Sequence, residues 1–455
     1  MSYSKFLPLF LFTGLFLFSF ACSTEERQSY QDPAFTPVEW SRSATIYEVN
    51  VRQFSEEGTF AKVEEQLPRL KELGIDILWL MPVHPIGEVE RKGTLGSYYS
   101  VKDYFDVNPE FGTKEDFRSL VETAHELEMR VILDWVANHT AWDNPLTETN
   151  PEFFERDEEG NFMPPYGTDW SDVIQLNFNN PDVHDYMISA LRYWVEEFNI
   201  DGYRADVAYL VPTEFWVRAR RELDSIKPVF MLAEAHTPEL HPAFDMGYWW
   251  EMHHLWNRIA RGEGELSEID QLIADFRRDF PEDTFMMNFI TNHDENSWAG
   301  TEFDRMGDGV EAFAVMMSLM EGMPLIYNGQ ETGFNRMLEF FEKDPIDWDF
   351  DSPFVDFYST LFHLKREHPA LQNGTAGGPM LRMSTSADEA IYAFSRSRDD
   401  NHVLAVINFS DQEQVFEITG KIPFGNYVEL FGQEETFATF FSLPAWGYRV
   451  FVSTN

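Results

Sequence analysis

Four short segments of the chain carry side chains able to do chemistry. The first is Asp134-Trp135-Val136-Ala137-Asn138-His139 and the second is Arg204-Ala205-Asp206. The third ends on Glu234, and the fourth is Asn292-His293-Asp294. They hold carboxylates, imidazoles and a guanidinium, the groups of acid–base and nucleophilic catalysis. Arg204 and Asp206 are two residues apart, so on a strand they share a face. The cation can then hold the carboxylate charged and oriented. A single Asp at a strand end is often only a helix cap. Acidic clusters at the ends of four strands require a fold that gathers strand ends at one place.

The hydrophobic pattern predicts such a fold. Apolar and β-branched runs alternate with segments of helical period from about residue 44 onward. Strands are expected at Thr45–Val49, Ile75–Leu80, Val131–Val136, Gly202–Asp206, Val229–Ala235, Ala243–Tyr248, Phe285–Asn292 and Pro324–Tyr327. Helical spacing joins Phe60, Val63, Leu67, Leu70 and Leu73, with Gly74 as the stop. Thr113 and Asp116 form a capping-box pattern ahead of Phe117, Leu120 and Val121. Met316, Met317, Met320 and Met323 are spaced as a buried helix face. Eight strands alternating with helices predict a (β/α)8 TIM barrel, whose active sites lie at the C-terminal rim of the strands. No glycine-rich phosphate loop follows the first strand, which argues against a doubly wound dinucleotide fold.

Two stretches break the rhythm. Residues 140–182 are irregular and rich in Pro, Asn, Asp and aromatics, as expected of a small subdomain inserted after the third strand. From residue 371 to 455 short alternating strands predict a C-terminal antiparallel β-sandwich domain, leaving 40–370 as the barrel.

Composition narrows the partners. The 455 residues are 44% hydrophobic and 16% aromatic, enough for a large core and a ring-lined cleft. Lys and Arg number 34 against 78 Asp and Glu, a formal net charge of −44. So negative a surface repels phosphate backbones and excludes nucleic acid as a partner, but not a neutral sugar. Whether it reflects solubility or a salty habitat is open. Cys22 is the single cysteine, so no internal disulfide forms. It follows the apolar run Phe6–Ala21, too short to span a bilayer and suited to a signal peptide over residues 1–21. Ser19-Phe20-Ala21-Cys22 looks like a bacterial lipobox with an unusual Phe20. The expectation is a lipid anchor on Cys22, a tether over 22–39, and an exported lipoprotein of the cell envelope.

The four segments, in order, resemble the four short motifs of glycoside hydrolase family 13, the α-amylase family. Gln175-Leu176-Asn177 is similar to that family's extra motif in the insertion. Gly96-Ser97-Tyr98-Tyr99 and Ile326-Tyr327-Asn328-Gly329-Gln330-Glu331 resemble it as well. The resemblance implies a retaining α-glucan hydrolase acting on starch-like polymers or maltooligosaccharides. It implies Asp206 as nucleophile, Glu234 as acid/base and Asp294 as the third carboxylate. Arg204, His139, His293 and Tyr99 would contact substrate or the nucleophile, and Asp134 would be scaffold. A retaining pair stands about 5–5.5 Å apart. Glu234 must hold a proton near neutral pH, which calls for burial and neighbouring negative charge.

Departures leave alternatives open. Many members carry Lys-His shortly after the nucleophile, where this chain has Tyr209-Leu210. The His backbone there helps hold a structural calcium, and Asn138 occupies the other familiar ligand position. The chemistry needs no cofactor, and a structural Ca2+ at Asn138 stays open. Tyr209-Leu210 and Ala233-Glu234-Ala235 look closer to members acting on short oligosaccharides, which include trehalose synthases. A transferase or isomerase using the same site is the alternative. Trp249 and Trp250 are candidates for stacking on a glucan.

Overall fold

The computed structural model describes residue 35 and residues 37–432 and 437–454. The expected signal peptide, Cys22 and nearly all of the tether lie outside the described residues. Among the described residues, no helix is long and apolar enough to cross a membrane.

Eight parallel strands close into a barrel. They are β1 (Ile46–Val49), β2 (Ile77–Leu80), β3 (Arg130–Trp135), β4 (Gly202–Ala205), β5 (Phe230–Ala233), β6 (Met246–Tyr248), β7 (Phe285–Asn288) and β8 (Met323–Tyr327). Each strand pairs with its neighbours in chain order, and β8 returns to β1. The strands are shorter than the apolar runs, because the last residues of several runs already belong to the rim loops. Alternation then sorts the side chains into two cores. Ile46, Ile77, Trp79, Ile132, Phe230, Leu232, Met246 and Leu325 fill the barrel interior. Their strand neighbours Tyr47, Leu78, Val131, Leu133, Met231 and Ile326 pack outward under the helices. This is the two-sided burial that makes parallel strands read as continuous apolar runs.

Backbone chemistry explains the local departures. The first helical pattern is broken into Phe60–Glu64 and Leu67–Leu73. Pro68 has no N–H to give the Glu64 carbonyl, and its ring clashes there. Gly74 ends the second piece at φ 100°, as the pattern implied. The Thr113–Asp116 capping box forms as expected. Met316 and Met317 lie on the helix Val310–Leu319, but Met320 already stands beyond its end and Met323 opens β8. All four are buried, yet they do not form one helix face, because the chain turns at Gly322 with φ 113°. Gly202 is obligatory at the start of β4. Its φ is 154°, and a Cβ would stand 1.8 Å from the Phe230 carbonyl oxygen of β5.

After β3 the inserted segment forms a small antiparallel ribbon, His139–Ala141 with Val173–Gln175. Beyond the barrel a five-stranded antiparallel sheet runs in the order Met380–Met383, Ile391–Arg398, Asn401–Asn408, Tyr448–Thr454, Asn426–Glu429. Gln414–Glu417 pairs with Phe440–Leu443 in a second sheet, and Ile391, Leu404, Phe416, Phe441 and Phe451 pack between the two. The architecture is a (β/α)8 barrel with a C-terminal β-sandwich. Arg396 fastens the sandwich to the barrel, donating to the carbonyls of Gly378, Met320 and Gln372.

Candidate active site

The strand ends converge as their acidic residues required. Asp206 follows the last residue of β4, and its N–H donates to the Trp135 carbonyl of β3 at 3.0 Å. Glu234 follows β5 in the same way, donating to the Ala205 carbonyl at 3.0 Å. Both side chains therefore leave a backbone still held by the barrel ladder, which fixes their direction better than a free loop would.

Arg204 is the hub. Its guanidinium is fully buried, with Nη1 at 2.9 Å from Asp134 and 3.1 Å from Asp206. Nη2 forms an ion pair with Glu234 at 2.9 Å, and Nε donates to Tyr248 at 3.1 Å. Asp134 also accepts from Trp79 Nε1 and the Tyr99 hydroxyl, so it is held as scaffold below the cavity. Glu234 accepts a second bond from the Val207 N–H at 2.8 Å. Val207 makes this bond from the left-handed region, φ 37° and ψ 48°. That conformation costs a β-branched residue of the order of 1–3 kcal/mol. The surrounding contacts hold it in place, and the strained turn aims a donor at Glu234.

Charge is distributed unevenly across the cluster. Burial raises the Asp206 and Glu234 carboxyls, and Arg204 opposes the rise in both. Arg204 is shared among Asp134, Asp206 and Glu234, and burial outweighs it, so the Asp206 and Glu234 carboxyls both stand above the ordinary carboxylate range. Their titration belongs to the pair rather than to one member. Burial pulls His293 down, but Asp294 and Glu48 outweigh it and raise its pKa to about 9. Glu48 is buried on β1 and meets His293 Nδ1 at 2.5 Å, while Asp294 lies 3.3 Å from Nε2. His293 is therefore a cation at neutral pH. His139 is its opposite: burial lowers it to about 3, so it is neutral, with Nε2 4.0 Å from Asp206.

These residues line a cavity of about 460 Å³. Tyr99, His139, Asp206, Glu234, His293 and Asp294 all face it. Of the adjacent tyrosines, Tyr99 stacks on His293 at the cavity floor, while Tyr98 turns into the core beneath the Arg52 guanidinium. Arg204 and Asn138 do not face the cavity. Trp249 and Trp250, the candidates for stacking on a glucan, do not line the cavity either. Trp249 packs on Phe276, and Trp250 stacks on Tyr248 and His254. The aromatic walls come instead from Trp170, Trp298, Phe340 and Phe341, which sequence reasoning missed. Lys92 and Glu48 were missed too. Glu48 left a cue, a carboxylate inside an otherwise apolar strand. The loop residues left none, because loops have no periodicity from which to read a direction.

Asn138 does not fit a calcium site. Its amide oxygen accepts from Gln175 Nε2 at 2.8 Å, and its amide nitrogen faces Gln175 Oε1 and His139 Nδ1. Calcium takes about 6–8 oxygen ligands, carboxylates prominent among them. Among the described residues, no group of three or more His, Cys, Asp or Glu could hold a metal. Here Asn138 and Gln175 pin the inserted ribbon by an amide pair. Treatment with a calcium chelator is therefore expected to leave melting temperature and turnover unchanged. A loss of either that added Ca2+ restores would overturn this.

Comparison with known proteins agrees with the geometry. The sequence profile of the alpha amylase catalytic domain matches residues 18–162 and 167–352, and that of the maltogenic amylase C-terminal domain matches 381–450. A relative described as alpha-amylase 2 of Dictyoglomus thermophilum is 26% identical over 424 residues, covering 84% of this chain and 72% of that protein. The crystal structure of an alpha-amylase from Lactobacillus plantarum is 32% identical, with a TM-score of 0.81 over 91% of this chain and 100% of that one. A maltogenic alpha-amylase structure from Thermotoga neapolitana is 30% identical, with a TM-score of 0.79 over 90% and 96%. With the barrel, the convergent carboxylates and these matches in place, the chain belongs to the α-amylase family, glycoside hydrolase family 13, and is a glycoside hydrolase acting on α-glucans.

Proposed function

We propose that the protein is a retaining hydrolase cleaving α-1,4-glucosidic bonds of starch-like polymers or maltooligosaccharides. The observation that carries this is one buried guanidinium contacting both Asp206 and Glu234 at the mouth of the barrel. Glycosidic cleavage passes through an oxocarbenium-like state and needs two carboxyl groups in different protonation states. Asp206, charge-compensated by Arg204, attacks the anomeric carbon and forms the glycosyl ester. Glu234 gives its proton to the leaving oxygen, then takes one from water as that water attacks the ester. The proton count closes over the two steps. Asp294 accepts hydrogen bonds from ring hydroxyls. His293, charged, and His139, neutral, donate to hydroxyls of the same sugar, over the Tyr99 ring. Relatives described as cyclomaltodextrinase and maltogenic alpha-amylase support an α-glucan substrate.

Incubation with maltoheptaose, with products resolved over time, tests this reading. Only shorter maltooligosaccharides are expected. Products longer than the substrate would make the protein a transferase instead, and an unchanged substrate would sink maltooligosaccharide hydrolysis. The apolar run Phe6–Ala21 ahead of Cys22 supports export as a lipoprotein that trims polymers at the envelope before uptake.

A further inference from the structure

The rim of the barrel is not uniform. The loop after β2 is fastened to the inserted segment after β3. Lys92 Nζ pairs with Asp172 at 3.1 Å and donates to the Asp169 carbonyl at 3.2 Å. On its other side the same loop is fastened to the loop after β8. The Thr94 N–H donates to Glu342 at 2.9 Å, and the Leu95 N–H to the Phe341 carbonyl at 3.1 Å. Gly93 lets the two backbones meet: a Cβ there would stand 2.4 Å from the Phe341 Cβ. The loop after β8 is fastened in turn to the loop after β7, because Asn296 donates to the Arg336 carbonyl and accepts from the Leu338 N–H. Rings close the corner, with Trp298 5.3 Å from Phe340 and 5.9 Å from Phe341.

By the barrel order, these loops form one continuous wall from β7 through β8, β1 and β2 to β3. Among the described residues, the β4 and β5 side shows no comparable run of loop-to-loop ties. There Tyr209 and Leu210 are 58% and 40% exposed next to the site. Glu234 projects from β5, on that open side. In the proposed mechanism Glu234 protonates the leaving oxygen, so the leaving portion of the glucan lies toward the open side. The glycosyl portion is held by Tyr99, His139, His293 and Asp294, which follow β2, β3 and β7, so it lies against the wall.

We propose that the protein attacks glucans from their non-reducing end, because the bridged loops leave the glycosyl side of the site a closed pocket rather than a through-going cleft. This rests on the proposed retaining hydrolysis. Lys92 is the specificity-determining tie: it lines the cavity and joins the loop after β2 to the insertion.

The test compares two 4-nitrophenyl maltoheptaosides, one free and one capped with a 4,6-O-ethylidene group on its non-reducing glucose. The free chain is expected to lose short saccharides from its non-reducing end. The capped chain is expected to react about tenfold more slowly or worse, as for a group the pocket cannot admit. Lys92→Ala, which unties the wall, is expected to narrow that difference. Equal cleavage of both chains by the unmodified protein overturns the inference and leaves the hydrolase reading standing. Failure to cleave either chain overturns the hydrolase reading and the inference with it. If Lys92→Ala fails to fold, the free-to-capped ratio of the unmodified protein still decides the matter.

Discussion

Replacing Asp206 with Asn is expected to lower turnover of maltoheptaose by about 10⁴-fold or more, the scale seen when a covalent nucleophile is removed. The amide is nearly isosteric and can still accept from Arg204, now 3.1 Å from the carboxylate. The backbone bond to Trp135 is also untouched. The folded structure and melting temperature should therefore survive while the ester cannot form. Both quantities have to be measured on the same preparation. A variant that keeps its melting temperature and retains more than a few percent of turnover would remove Asp206 from the nucleophile's role.

Replacing Arg204 with Met should harm both stability and activity. The guanidinium is the shared counter-ion of Asp134, Asp206 and Glu234, and it is fully buried. Taking one partner from a buried ion cluster leaves uncompensated charge, at a cost of about 3–5 kcal/mol. The sign of the pH dependence follows from linkage. Burial already raises the Asp206 and Glu234 carboxyls above their unfolded values, and Arg204 is what restrains the rise. Without Arg204 their folded-state pKa values rise further. A group with a raised folded pKa favours the folded state while it is protonated, and that advantage is lost as pH climbs through the folded value. The melting temperature gap between the unmodified protein and Arg204→Met should therefore be small in acid and widen toward neutral and alkaline pH. Thermal melts across pH 4–9 measure it. A gap constant with pH would mean that Arg204 acts by packing on Trp79, Tyr99 and Tyr248 rather than by its charge.

The same cluster shows where reading the chain alone stops. The pairing of Arg204 with Asp206 follows from strand alternation, because residues two apart share a face. The involvement of Glu234 in that ion pair does not, because it depends on β4 and β5 being neighbours in a closed barrel. Glu48 is similar. Its burial was visible as a carboxylate in an apolar strand, but its partner His293 comes from β7 and its loop, 245 residues away in sequence. Trp249 and Trp250 had the composition of a sugar platform, yet packing turned Trp249 onto Phe276 under the helices and Trp250 onto Tyr248 and Phe289 of the barrel core.

The sequence by itself determined the strand–helix alternation, the four rim segments and the identity of their carboxylates. These rest on periodicities of two and 3.6 residues and on local capping chemistry, which act over a few residues. Only the tertiary structure decided the shared guanidinium, the amide pair that takes up Asn138, and the wall from β7 to β3. Each depends on contacts between loops or strands far apart in the chain. No local pattern encodes them, because such contacts come into being only when the barrel closes and the rim loops meet.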